Sequence, residues 1–237
     1  MTYIICGFIF GVMIPYLARK ISKLIPATMG YILLKLVVPT HYMSWKKLVN
    51  NDQYMRLFQR YAMRSIGWGI FTSAATYLFA VNFDTHFTWW YICFLWILLL
   101  LVEIDKRSML LPDILTLPLL ILGFTYASQQ GHWLGTMEPI FLGYATNSAL
   151  GAIAGYAMPV IASMFIVWKY PDAFGGGDIK LLAAIGAWVG IGVIPYILLL
   201  SCVIFAVTCL INKRKVGPFG PAIVYATLIA TVILFGI

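Results

Sequence analysis

Acidic residues are scarce in this 237-residue chain and unevenly placed. Of the 8 Asp and Glu, four lie in two short stretches. Glu103, Asp105 and Asp113 fall in Val102-Glu-Ile-Asp-Lys-Arg-Ser-Met-Leu-Leu-Pro-Asp113, and Asp178 falls in Phe174-Gly-Gly-Gly-Asp-Ile-Lys180. Both stretches adjoin long apolar runs, and an ionisable group kept at the edge of hydrocarbon is a functional candidate by default. Two carboxyl groups a few ångströms apart cannot both ionise cheaply, so one keeps its proton while the other acts as a base. Such a pair activates a water and polarises a peptide carbonyl with neither a metal nor a covalent intermediate. Asp105 and Asp178 are the candidate pair, and the fold must bring them together across 73 residues of sequence.

The neighbours of Asp178 suit that chemistry. Gly175, Gly176 and Gly177 carry no side chains and permit positive φ, which lets an extended substrate backbone approach the carboxylate. Taken alone, such a run also fits a flexible loop, and no G-x-x-x-x-G-K-[ST] phosphate loop occurs. Lys180 either tunes the nearby carboxylate, contacts an acidic substrate residue, or acts as a topology-setting lysine. His41, His86 and His132 are scattered over loops, which supports neither a metal cluster nor a serine triad. Cys6, Cys93, Cys202 and Cys209 lie in apolar stretches without C-x-x-C spacing and read as buried small hydrophobes.

The elements that must position these groups are membrane helices. The chain is 62% hydrophobic and 10% charged, against roughly 45–50% and about 25% in soluble proteins. A crossing helix needs about 20 apolar residues. On that measure spans are expected near 2–18, 65–83, 88–105, 110–127, 138–168, 181–194, 195–211 and 218–237, in an all-α polytopic bundle. The two around Ile194-Pro195 are short and form either a hairpin or one kinked helix, so the count lies at about eight, within a range of six to eight.

The 16 Lys and Arg cluster between apolar runs, as cytoplasmic loops do under the positive-inside rule. The lipid bilayer is therefore the expected partner, and nucleic acid is not, for no extended basic face with interleaved aromatics exists. Threading the loops alternately places both termini outside. The stretch Thr2–Leu17 has the length of a signal peptide but lacks a basic n-region, so it reads as a retained span. Residues 1–18 form the first span, 19–64 a cytoplasmic basic and amphipathic region, and 65–237 the core. Within 19–64, Leu24–Val38 is apolar enough to lie on the membrane. Arg56, Arg60 and Arg64 fall on one helical face, either solvated against anionic headgroups or binding substrate. Asp105 ends the third span and Asp178 precedes the span from Leu181, which puts both at the cytoplasmic face.

The two acidic stretches together resemble the type IV prepilin peptidases, members of the GxGD class of intramembrane aspartyl proteases. The family's "ID", "LPD" and "G-x-G-D-x-K" elements appear as Ile104-Asp105, Leu111-Pro112-Asp113 and Gly175-Gly-Gly-Asp-Ile-Lys180. Further matches are Leu115-Thr-Leu-Pro118, Lys180-Leu-Leu-Ala-Ala-Ile-Gly-Ala-Trp188 and Gly217-Pro-Phe-Gly-Pro221. The resemblance spans about residues 97–225 and maps the catalytic pair onto Asp105 and Asp178. Asp113 takes a supporting position, capping a helix that begins near Ile114.

The resemblance implies an aspartic endopeptidase of the bacterial inner membrane. It would cut the basic leader from prepilins or pseudopilins at the cytoplasmic face, with no cofactor for proteolysis. Family members often also methylate the new N-terminus with S-adenosylmethionine. Here residues 19–64 contain no cysteine, so the paired C-x-x-C zinc site that many members carry in that loop cannot form. Two rival classes stay open on the residues alone: a transporter using intramembrane carboxylates, and a non-catalytic pilus or secretion assembly subunit. The sequence assigns no oligomeric state.

Overall fold

The computed structural model describes residues 2–24, 52–82, 88–130, 143–167, 175–213 and 217–235, and every regular element among them is an α-helix. In chain order these are α1 (Thr2–Leu24), α2 (Asp52–Asn82), α3 (Thr88–Ser108), α4 (Asp113–Gln130), α5 (Tyr144–Val167), α6 (Gly176–Val189), α7 (Ile194–Ile211) and α8 (Gly220–Phe235). The all-α class expected from the apolar runs is thus observed. By length and composition, α1, α3 and α7 can each cross a membrane, while α8 is apolar but shorter.

Three boundaries differ from expectation. α1 runs on through Arg19, Lys20 and Lys23 to Leu24, because Lys and Arg are good helix formers whose long stems reach toward water from a continuing helix. α2 begins at Asp52, so Arg56, Arg60 and Arg64 share one helix with the apolar run that follows. Between α6 and α7 the chain breaks at Gly190, which has φ 76°, and Pro195 sits in the first turn of α7. The two short spans are therefore separate helices: the left-handed glycine ends one, and proline opens the next without disturbing its ladder. The surface segment expected beyond Leu24, as far as Val38, lies outside the described residues, as do His41, His86 and His132.

The chain divides into two compact units, Met1–Glu103 and Ile104–Ile237. In the first, α1 and α2 meet along small residues. A Cβ on Gly7 would stand 2.8 Å from Thr76 Oγ1, and one on Gly11 would stand 2.6 Å from the Trp68 carbonyl oxygen. This is the close approach that small residues four apart allow between helices in lipid. Ser73 Oγ donates to the Ile4 carbonyl at 3.1 Å. Phe10 stacks on Trp96 at 4.5 Å, and Trp96 Nε1 donates to Thr76 Oγ1 at 3.0 Å.

In the second unit α6 is the central element, with Leu181 through Val189 all buried. It packs against α4 and α5 and also touches α7 and α8. Gly151 of α5 and Gly186 of α6 lie backbone to backbone, so a Cβ on either would collide with the other's carbonyl oxygen. Ser148 Oγ donates to the Ala187 carbonyl at 2.6 Å, and Trp188 Nε1 to the Leu119 carbonyl at 2.8 Å. The Trp188 ring stacks on Tyr126 at 5.4 Å.

The cysteines depart from expectation: Cys93 and Cys202 are exposed, and Cys6 and Cys209 are partly so. A lipid-facing surface is as apolar as a core, so an apolar stretch does not distinguish inward from outward positions.

Candidate active site

Asp105 stands in the last turn of α3 and is 4% exposed. The helix closes with Met109 N–H donating to the Asp105 carbonyl at 2.9 Å. Met109 then takes φ 51°, and the chain turns through Leu111 and Pro112 into α4. The Pro112 carbonyl accepts the first bonds of α4, from Leu115 N at 3.1 Å and Thr116 N at 3.3 Å. Asp113 is therefore the first residue of α4 rather than its cap, and its carboxylate is occupied elsewhere. Lys180 Nζ lies 2.8 Å from both Asp113 carboxylate oxygens. That pair ties the start of α4 to the first turns of α6.

Asp178 occupies the first turn of α6, where the helix dipole favours a carboxylate. Gly175 precedes that helix in an extended conformation, φ −69° and ψ 133°, and its carbonyl accepts from Asp178 N at 3.0 Å. The expectation of positive φ in the glycine run is corrected here: Gly176 and Gly177 are helical, and Gly190 is the positive-φ glycine among the described residues. The three glycines serve by what they leave empty. A Cβ on Gly175 would lie 2.9 Å from Asp178 Oδ2, one on Gly177 would lie 2.9 Å from Leu111 Cβ, and one on Gly176 would meet open space.

Sequence reasoning missed Gly220 as a site residue. Its backbone N–H, at the start of α8, donates to Asp105 Oδ2 at 3.0 Å. A Cβ there would stand 2.7 Å from the same oxygen. The available signal is the run Gly217-Pro-Phe-Gly-Pro221, a family match to which the sequence attaches no role.

The fold brings the two candidate carboxylates within electrostatic reach. Asp178 stands before the apolar run from Leu181, and its carboxyl is pushed up to about 7, first by burial and then by the charge of Asp105. Asp113 and Lys180 are both half exposed. Glu103, the fourth acidic candidate, is fully buried and bound by Arg64, whose Nη2 lies 2.8 Å from Oε1 and 3.1 Å from Oε2. Arg64 is thus committed to a carboxylate within the first unit, a partner that neither the headgroup nor the substrate reading had included.

Among the described residues, no group of three or more His, Cys, Asp or Glu stands close enough to hold a metal ion. The cavity of about 370 Å³ between α7 and α8 has no carboxylate in its lining to meet a sulfonium, and no step is assigned to S-adenosylmethionine.

A family model described as the type IV leader peptidase family matches residues 92–210. The prepilin leader peptidase/N-methyltransferase of Aeromonas salmonicida (strain A449) is 37% identical over 147 residues, covering 57% of this chain and 46% of the relative. That of Vibrio cholerae serotype O1 is 33% identical over 139 residues, 56% of this chain and 51% of the relative. The Escherichia coli (strain K12) relative of the same name is 36% identical over 147 residues, 59% of each chain. The chain spans about half the length of the relatives it matches. No solved structure matches it.

Proposed function

The chain belongs to the type IV leader peptidase family, and from that premise we propose that it is a membrane aspartyl endopeptidase whose catalytic pair is Asp105 and Asp178. Its proposed substrates are prepilins or pseudopilins, cut after a basic leader at the cytoplasmic face of the bacterial inner membrane, with the peptidase core within residues 65–237. The observation that carries this reading is the pairing itself. Asp178, 73 residues from Asp105 in sequence, has its carboxyl pushed up first by burial and then by the charge of Asp105, which supports reading the two as a pair.

The chemistry follows from the different surroundings of the two groups. Asp105, whose Oδ2 is held by the backbone N–H of Gly220, is assigned as the base that takes a proton from the attacking water. Asp178, whose carboxyl is pushed up to about 7 by burial and by the Asp105 charge, is assigned as the acid that in its protonated form donates a hydrogen bond to the scissile carbonyl and stabilises the oxyanion as the water adds. The proton taken by Asp105 then passes to the leaving amine as the C–N bond breaks. Gly176, with open space where a side chain would stand, leaves room for the extended substrate beside Asp178. The paired Asp113 and Lys180 fix the approach of α4 to α6. The relatives are named as methyltransferases too, but for this chain the proposal is confined to the peptidase.

The test is leader cleavage of a co-expressed prepilin. Asp105→Asn and Asp178→Asn are each expected to lower processing by about 10²–10⁴-fold, the usual scale for a general acid or base, at unchanged protein level. Asp113→Asn should keep partial processing. Full processing by either of the first two variants would overturn the pair.

A further inference from the structure

Asp105 is the last buried residue of α3. Lys106, Arg107, Met109 and Leu110 after it are exposed, and burial resumes only at Pro112. Ser108 Oγ lies 2.9 Å from the Ile104 carbonyl oxygen and 3.2 Å from that of Leu110. Those contacts fix the shape of the closing turn but attach it to no other element. Helix ends are where a helix frays, so a carboxylate at this position needs its turn held from outside.

Two polar contacts join the last turn of α3 to α8, and all four residues belong to the second unit. The backbone N–H of Gly220 donates to Asp105 Oδ2 at 3.0 Å. Lys106 Nζ donates to Tyr225 Oη at 3.0 Å and stands 5.5 Å from the centroid of that ring. Adjacent residues project about 100° apart around a helix, and the five steps from Gly220 to Tyr225 rise about 7.5 Å along α8. A carboxylate held by one hydrogen bond can pivot about it. A second anchor, at another angle on α3 and another level on α8, resists both rotation and sliding of the turn.

Packing does not supply that anchor. Lys106 and Tyr225 both line the cavity of about 370 Å³ between α7 and α8, and Tyr225 is 37% exposed. With open space beside it the long lysine stem has other rotamers within reach, and the contact with Tyr225 selects this one.

We propose that Tyr225 is a positioning residue for the peptidase reaction, acting through Lys106 to hold Asp105 against Gly220. The inference rests on the peptidase reading and adds to it a residue from outside the two acidic stretches.

The test uses the full chain in detergent, with steady-state cleavage of a purified prepilin and hydrogen exchange of the Gly220 amide, read by nuclear magnetic resonance on protein carrying isotopically labelled glycine. Tyr225→Phe keeps the ring and removes the hydroxyl. It should lower kcat about tenfold, short of the roughly 10²-fold that a misplacement of about 1 Å brings, with KM and melting temperature unchanged. The Gly220 amide, its acceptor loosened, should exchange about tenfold faster. Lys106→Met should match Tyr225→Phe in both readouts, and the double variant should be no worse than either. Lys106→Arg, which still donates to the hydroxyl, should stay near the native rate. Native kcat in Tyr225→Phe, or losses that multiply in the double variant, would overturn the clasp. A rise in KM at native kcat would overturn positioning in favour of contact with substrate. An unchanged Gly220 amide would overturn the route through Asp105. Full processing by Asp105→Asn would overturn the peptidase reading and the catalytic role of the clasp with it, whereas loss in Asp105→Asn beside no loss in Tyr225→Phe overturns the clasp alone.

Discussion

Two helix seams in this molecule use the same device to different ends. In the first unit α1 meets α2 over Gly7 and Gly11, and in the second α5 meets α6 over Gly151 and Gly186. Each lets backbones approach more closely than side chains permit. The surroundings differ. α1 turns exposed Ile5, Ile9 and Met13 outward, so its seam is one-sided. α6 is buried along its whole apolar length and also carries Asp178. The difference teaches that close packing alone does not mark a functional region. It matters when it immobilises the helix that carries a reacting group.

The largest contrast should come from alanine at each seam. At Gly186 the new Cβ meets the Gly151 backbone on a helix hemmed in by its neighbours. That should exceed the usual overpacking penalty of about 1–3 kcal/mol and bring prepilin processing to background. Gly11→Ala also crowds a carbonyl, but α1 can slide outward into lipid. A loss of about 1 kcal/mol with processing retained is the expected outcome. Thermal unfolding in detergent and leader cleavage together decide. Equal loss of processing by both variants would erase the distinction between the seams.

Next in size is the Asp113–Lys180 pair, which ties the start of α4 to α6. As a half-exposed pair it contributes little stability, about 0–1 kcal/mol, so its effect should appear in rate. Lys180→Ala is expected to slow processing about tenfold, the factor that about 1.4 kcal/mol in the barrier produces, with melting unchanged. The exchanged pair, Asp113→Lys with Lys180→Asp, should recover most of it. A drop in melting temperature matching the loss of rate would make the contact merely structural.

The pH profile sharpens the role of Asp178. If its proton is needed, processing should fall as pH rises through about 7, the value to which its carboxyl is pushed. Stability should move the same way. Folded Asp178 keeps a proton that the unfolded chain releases near its ordinary 3.8, so stability declines as pH climbs from 3.8 toward 7. Asp178→Asn should flatten that decline, and an unchanged slope would remove Asp178 as its source. The smallest effect is expected at Gly176, where a Cβ meets open space. Gly176→Ala should leave folding unchanged or raise stability slightly, and processing should fall less than threefold, about 0.6 kcal/mol. A larger fall would mean that substrate passes closer to the helix than the open space suggests.

Much of this was legible in the residues themselves. Apolar runs of helical length announced an all-α membrane chain, and two clusters of scarce acids pointed to Asp105 and Asp178. Local pattern was silent on matters that depend on facing surfaces. Nothing in the spacing of Gly175–Gly177 says that Gly176 and Gly177 are helical, or that Gly175 makes room for Asp178 and Gly177 for Leu111. That Asp113 pairs with Lys180 instead of capping a helix depends on how α4 meets α6. Gly220 needed the third dimension too, because its partner Asp105 is 115 residues away. The cysteines misled for a different reason: in lipid, inside and outside have the same polarity.

The brevity of α6 has a consequence of its own. Its 14 residues rise about 21 Å at about 1.5 Å each, less than the hydrocarbon thickness of about 30 Å. On the proposed placement of Asp178 at the level of the headgroups, the turn from Gly190 to Val193 would fall within the hydrocarbon, where no water can serve its backbone. The amide hydrogen of Gly190 returns to Gly186 at 2.8 Å. That of Ile191 is received by Oδ1 of Asn147, 3.2 Å away on α5. Asn147 is 1% exposed and does for this turn what solvent does for a loop outside. On that placement its amide oxygen serves a turn that a helix shorter than the bilayer would leave inside it.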